Sequence, residues 1–143
     1  MNIYNLIKEV HDLKHTLKKA LSFSIRKEII LVCSDETTAL SAGTNKFIFR
    51  VPHDMVISNV RASLSTAQGA GTIFTVDIND SGTSILSTKL TIDNTEKTSI
   101  TATTPVVISD DTVLNNAEIS IDIDQIGDGT AKGLKIILIG HKF

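Results

Sequence analysis

Glu118-Ile119-Ser120-Ile121-Asp122-Ile123-Asp124 alternates between polar and apolar side chains without a break. A period of two puts Ile119, Ile121 and Ile123 on one face of a strand and Ser120, Asp122 and Asp124 on the other. Phe74-Thr75-Val76-Asp77-Ile78-Asn79 reads the same way, with Phe74, Val76 and Ile78 sharing a face. Such strands rest one face on a core and turn the other to solvent or to a polar subunit interface. Leu134-Lys135-Ile136-Ile137-Leu138-Ile139 is apolar on both faces after Lys135. It reads as a strand touching a neighbouring subunit, or as a central strand whose outer face the N-terminal segment covers.

Working outward, the same period predicts strands over 25–33, 46–51, 55–63, 72–79, 84–93 and 97–102, then 106–109, 118–126 and 133–141. Turn signals divide most of them: Ala42-Gly43-Thr44, Gly69-Ala70-Gly71, Asp80-Ser81-Gly82, Asp93-Asn94, Asn115-Asn116 and Asp128-Gly129. Short strands at this spacing, with no helical stretch between them, predict an antiparallel jelly roll or β-sandwich. Composition agrees. Ile, Thr, Ser and Val fill 59 of 143 positions, and β-branched side chains favour pleated backbone. With 41% hydrophobic and 21% charged residues the chain is not of the disordered type.

The N-terminus follows another rule. Ile3, Leu6, Val10, Leu13, Leu17 and Ala20 recur at spacings of three and four, the seam of a coiled coil. Ile3, Val10 and Leu17 take heptad position a, and Leu6, Leu13 and Ala20 take d. Ile7 and Leu21 at e widen the stripe, which suits either docking on a sheet or a bundle of more than two helices. Asn2 is a candidate N-cap, and the first Gly is Gly43. The expected organisation is therefore an oligomerising or anchoring helix over 1–21, a connecting segment or strand over 22–33, and a sandwich domain over 34–143. The seam residues are the expected oligomer interface, read as a parallel homotrimer. A dimer, or one helix lying along its own domain, is the alternative.

Charge also differs along the chain. Residues 1–30 carry six Lys or Arg against three acidic residues, and the remainder carries eight against thirteen. The basic excess is too small to indicate nucleic-acid binding, and aromatic residues to stack bases are scarce. No apolar run approaches the ~18 residues of a membrane span, and charges interrupt the first 21 residues too often for a signal peptide. A lone cysteine, Cys33, leaves no intrachain disulfide and no cysteine zinc cluster; it follows an apolar run and is expected to be buried and inert.

Chemistry is poorly provided for. His11-Asp12-Leu13-Lys14-His15 parallels the zinc-binding H-E-x-x-H spacing, but Asp replaces Glu, no third ligand follows, and heptad positions b and f face solvent. Asp77-Ile78-Asn79-Asp80-Ser81-Gly82 resembles the start of a calcium loop, yet position 88 is Thr where the loop needs Glu, and a hairpin turn accounts for it. Asp122 and Asp124 share one strand face with Asp128 near; a hard cation held between subunits is one reading, and a solvated acidic edge that blocks unwanted strand pairing is the one expected. Asp122 and Asp124 point along one surface, so they do not flank a sugar as paired catalytic carboxylates would. Neither His53 nor His141 belongs to a nucleophile motif, and no helix follows Gly127-Asp128-Gly129 to make a phosphate loop. No catalytic, cofactor-binding or metal-binding residue is expected, and the chain is not expected to be an enzyme.

Several stretches together resemble a family. They are Ser34-Asp35-Glu36-Thr37-Thr38-Ala39-Leu40, Lys46-Phe47-Ile48-Phe49-Arg50-Val51-Pro52 and Val60-Arg61-Ala62-Ser63-Leu64. With them go Val76–Asn79, Ser84–Leu90, Glu118–Gly127 and Gly133–Gly140. Over about residues 34–140 the chain resembles a small β-domain of tailed-bacteriophage structural proteins. That resemblance implies a jelly-roll module of a virion surface or appendage, commonly trimeric, made in the host cytoplasm and resident in the virion. The implied partners are other copies of itself and other virion proteins, the major capsid or tail components. The first role implied is capsid decoration or a head fibre; the second is a tail fibre or receptor-binding protein touching a host surface receptor. Neither nucleic acid nor membrane is an expected partner. The shared positions are strand cores and turns, so no functional residue transfers.

Overall fold

The computed structural model describes residues 1–142, with the side chains of 22–24 outside that description. Phe143, the last residue of the predicted sandwich domain, also lies outside the described residues. Helix α1 (Ile3–Ser24) precedes strands β1 (Arg26–Val32), β2 (Gly43–Arg50), β3 (Met55–Ser63), β4 (Phe74–Asp80) and β5 (Thr83–Ser84). Then come β6 (Leu86–Thr88), β7 (Leu90–Ile92), β8 (Val107–Ile108), β9 (Thr112–Val113), β10 (Glu118–Gln125) and β11 (Lys135–Lys142). One sheet runs β1-β11-β3-β9, a second β2-β10-β4-β5 with β7 also on β4, and β6 pairs with β8 apart. All the pairings are antiparallel, and the sheets stack as a sandwich, one of them curled.

The alternation read from the sequence is the core. Phe74, Val76 and Ile78 of β4 and Ile119, Ile121 and Ile123 of β10 are buried, and they meet Ile57, Val60, Ala62, Ile136 and Leu138 of the facing sheet. Fully burying an aliphatic or Phe side chain contributes about 1.5–3 kcal/mol each, so this layer dominates the stability of the body. The segment expected as link or strand is strand β1, paired with β11 from Arg26↔His141 to Val32↔Lys135. β11 is central, between β1 and β3. On its outer face Ile139 is buried and Ile137 half-buried, so much of that apolar face closes within the chain.

Two expected strands are corrected. The run 84–93 is three short strands, because Ser84 Oγ meets both the N–H and the carbonyl of Leu86 and bends the chain away from β4. β6 goes to β8, and β7 returns to β4. The run 97–102 is a loop holding a 3-10 turn, Ser99–Thr101. There Thr98 Oγ1 accepts from Ile100 N–H, and Ser99 Oγ accepts from Ala62 N–H. Hydroxyl bonds of this kind compete with a strand ladder, and Ile100 is left exposed. β9, which the sequence reading missed, pairs Met55 and Val56 with Val113 and Thr112.

A polar knot closes one end of the sandwich around Gln68, a buried amide. Its Nε2 donates to the Thr72 carbonyl at 2.7 Å and to Asn94 Oδ1, and its Oε1 accepts from Gly127 N–H at 2.7 Å. Asp128 ties the same loops, accepting from Gly69 and Ala70 N–H and from the Thr130 N–H and hydroxyl. Asp35 accepts likewise from Thr37 and Thr38, and Asp93 from Thr103.

These bonds favour the charged carboxylates. The Thr38 and Thr37 N–H groups hold Asp35, the Thr103 hydroxyl and N–H hold Asp93, and those of Thr130 hold Asp128 below the ordinary aspartate value of 3.8. A folded-state value below the unfolded one stabilises above the unfolded value, and the gain is lost as pH falls through the folded one. The melting temperature should therefore be level from about pH 7 to 5 and drop below about pH 4. Asp128→Asn should flatten part of that drop, as a calorimetric pH series would read; a drop already complete by pH 5 would contradict it.

Candidate functional site

Helix α1 is the surface feature the fold leaves unexplained. Asn2, extended at φ −86 and ψ 157, caps it, its Oδ1 accepting from Asn5 N–H at 2.9 Å. No Gly or Pro interrupts the 22 residues, about 33 Å of helix at 1.5 Å per residue. Its main contact with the body is with β11. Because β1 follows the helix directly and pairs with β11, that contact lies at the root of the helix.

Beyond that root the helix is bare. Residues 1–21 are all exposed, including Ile3 (77%), Leu13 (68%) and Leu17 (56%). The alternative in which the helix lies along its own sheet is therefore not the fold of this chain. Ile3, Leu6, Val10, Leu13, Leu17 and Ala20 are brought onto one stripe by the helical repeat, and none of them is covered. Ile3, Leu6, Ile7 and Val10 line a shallow groove along it together with His11 and Lys14. Ile25, and Ile30 and Val32 of β1, are exposed as well.

The remaining candidates from the sequence are dispersed or already engaged. His11 and His15 stand on the exposed helix. Among the described residues no three His, Cys, Asp or Glu side chains are grouped as a metal site. Asp80-Ser81-Gly82-Thr83 is a two-residue hairpin turn, with φ of 51° at Ser81 and 85° at Gly82 and with Asp80 opposite Thr83. Positive φ at both central residues is what a tight hairpin between twisted strands requires.

The acidic trio is split three ways. Asp122 accepts from Asn45 N–H at 2.6 Å and from Asn79 Nδ2 at 3.0 Å. Asp124 shares Lys89 with buried Asp77, whose Oδ2 lies 3.0 Å from the ammonium nitrogen, while Asp128 belongs to the polar knot. Hydrogen bonds to Asp124 and Asp77 raise the Lys89 pKa above the usual lysine value. The polar face of β4 is accordingly less open than the alternation implies, with Asp77 and Asn79 both buried. Sequence reasoning missed Lys89 and Gln68. Gln68 ties loops together and Lys89 bridges β4 and β10, meetings that no local pattern announces. Burial pushes the half-buried Cys33 thiol up to about 11, well away from a reactive thiolate.

Clefts elsewhere on the described surface include two on the body. One, of about 240 Å³, lies between β3 and the 99–106 loop and is lined by Asn59, Arg61, Ser99 and Ile100 among others. A shallower one over β7 is lined by Ile73, Lys89, Asp93 and several threonines. Neither holds a serine or cysteine beside a histidine base. No helix among the described residues is long and apolar enough to cross a membrane. Comparison with protein-family models, with curated proteins and with solved structures finds no match.

Proposed function

We propose that this protein is a non-enzymatic structural component of a tailed-phage virion, a homotrimeric surface protein of the capsid-decoration or head-fibre type. One observation carries the oligomeric part of the reading: a capped helix whose apolar stripe stays in water while the body buries a complete core of its own. Isolated helices of this length are marginal, and in coiled coils the seam between copies supplies their stability. The stripe includes e as well as a and d, which suits three strands better than two. The virion part rests on the stretches between residues 34 and 140 that resemble phage β-domains.

Sedimentation equilibrium of the intact chain at micromolar concentration should give about 46 kDa, three times 15.4 kDa. A mass of one chain would remove the oligomer from the proposal. Imaging of the virion with the subunit located should show copies spread over the capsid; copies at the tail tip would favour a fibre that contacts the host. Hydrolysis of a surface polysaccharide, lost on Asp122→Ala, would replace the structural role with an enzymatic one.

A further inference from the structure

Heptad positions e and g flank a coiled-coil seam, and their charges set which helices pair and in which direction. In this chain those positions are Asn2, Ile7, Glu9, Lys14, Thr16 and Leu21. Only two of them are charged, Glu9 at g and Lys14 at e. Five residues apart on one helix, they point about 140° from one another and cannot meet within the chain. Both are exposed, and among the described residues neither takes part in an ion pair. In a parallel coil in register, residue g of one helix faces residue e five positions later on its neighbour. Glu9 then lies against Lys14 of the next copy, once around the ring for each chain.

We infer that copies of this chain associate through parallel helices in register, with Glu9 of each chain paired to Lys14 of the next. The inference rests on the oligomeric reading above, gives its parallel direction a named charge pair and adds the register. All six a and d positions are apolar, so the seam itself carries no polar residue to select a register. A fully overlapped antiparallel pair brings e near e and g near g. Lys14 would then face Ile7, Glu9 would face Thr16, and both charges would lose their partners. Sliding parallel helices by one heptad sets Glu9 against Ile7 or Leu21. The parallel register also gathers the β-bodies at one end.

Charge exchange in the full-length protein tests this. Glu9→Lys alone and Lys14→Glu alone place like charges face to face around the ring. Each should weaken association by about tenfold or more in sedimentation equilibrium, since an exposed pair is worth a few-fold and every copy contributes one. The double variant Glu9→Lys/Lys14→Glu should return to within about threefold of the natural chain. Ile3→Cys in a Cys33→Ser chain gives a second readout. Parallel helices place these thiols together, so oxidation should link two chains covalently. Antiparallel helices hold them roughly 30 Å apart, at opposite ends. A natural chain that is monomeric would overturn the oligomer itself. An oligomer unaffected by the single exchanges, weakened further by the double one, or refusing the link would overturn only the direction and register.

Discussion

Gly140→Ala should cost the fold a large share of its stability at 25 °C. Gly140 lies in β11, the strand between β1 and β3, where β3 carries one extra residue: Ile139 pairs with Asn59, and Gly140 with Ile57. A methyl group at Gly140 would stand 2.0 Å from the Val56 carbonyl oxygen and 3.0 Å from the Ile57 Cα. The obstruction is backbone in the middle of a sheet, so no side chain can swing aside to relieve it. Overpacking of side chains costs about 1–3 kcal/mol, and parting two central strands should exceed that, at about 4 kcal/mol or more. Domains of this size have only about 5–15 kcal/mol in hand. Gly82→Ala is the control. Nothing lies within 4 Å of its added carbon, and the φ of 85° alone should cost about 1–2 kcal/mol. Urea unfolding of the two variants should show a far lower midpoint for Gly140→Ala. Equal midpoints would mean that β11 and β3 do not approach so closely at Gly140.

Val10→Asp/Leu13→Asp should convert the oligomer to single chains. The two positions are adjacent layers of the seam, one a and one d, and aspartate there buries a charge without a partner in every copy. Losing two aliphatic contacts per chain removes about 3–6 kcal/mol per chain before that charge is counted. Association should therefore fall by at least a thousandfold, bringing the mass to about 15.4 kDa at micromolar concentration. Helical circular dichroism should fall with it, because a lone helix of 22 residues is marginal. Melting of the β-body should not move, since neither side chain belongs to its core. An unchanged mass would show that the copies, if they associate, do so elsewhere. A collapsed body would mean that the helix supports the sandwich after all.

What could be read without coordinates follows from periodicity. Ile119, Ile121 and Ile123 declare their faces because a strand has a period of two, and Ile3 to Ala20 declare theirs because a helix with every third and fourth residue apolar makes a stripe. These are local regularities, legible wherever backbone and burial share a rhythm. The reading failed where a hydroxyl took over a backbone bond. Ser84 and Ser99 look like ordinary strand residues, and only their bonds to Leu86 and Ala62 break the runs 84–93 and 97–102. It failed also at Gln68 and Lys89, each of which reaches partners 26 to 59 residues away in sequence.

By itself, then, the sequence determined the two kinds of element, the inward faces of the main strands and the seam of the helix, since each rests on side-chain spacing within one segment. Only the tertiary structure decided that Arg26–Val32 joins the sheet beside β11, that the polar face of β4 is closed over Asp77 and Asn79, and that Gly140 admits a crossing backbone. It decided as well that the helix stands clear of the body with its stripe in water. Those are facts about which surfaces meet. A stripe reads the same in sequence whether it covers its own sheet or waits for another copy, because burial is a property of the packed chain and not of the segment.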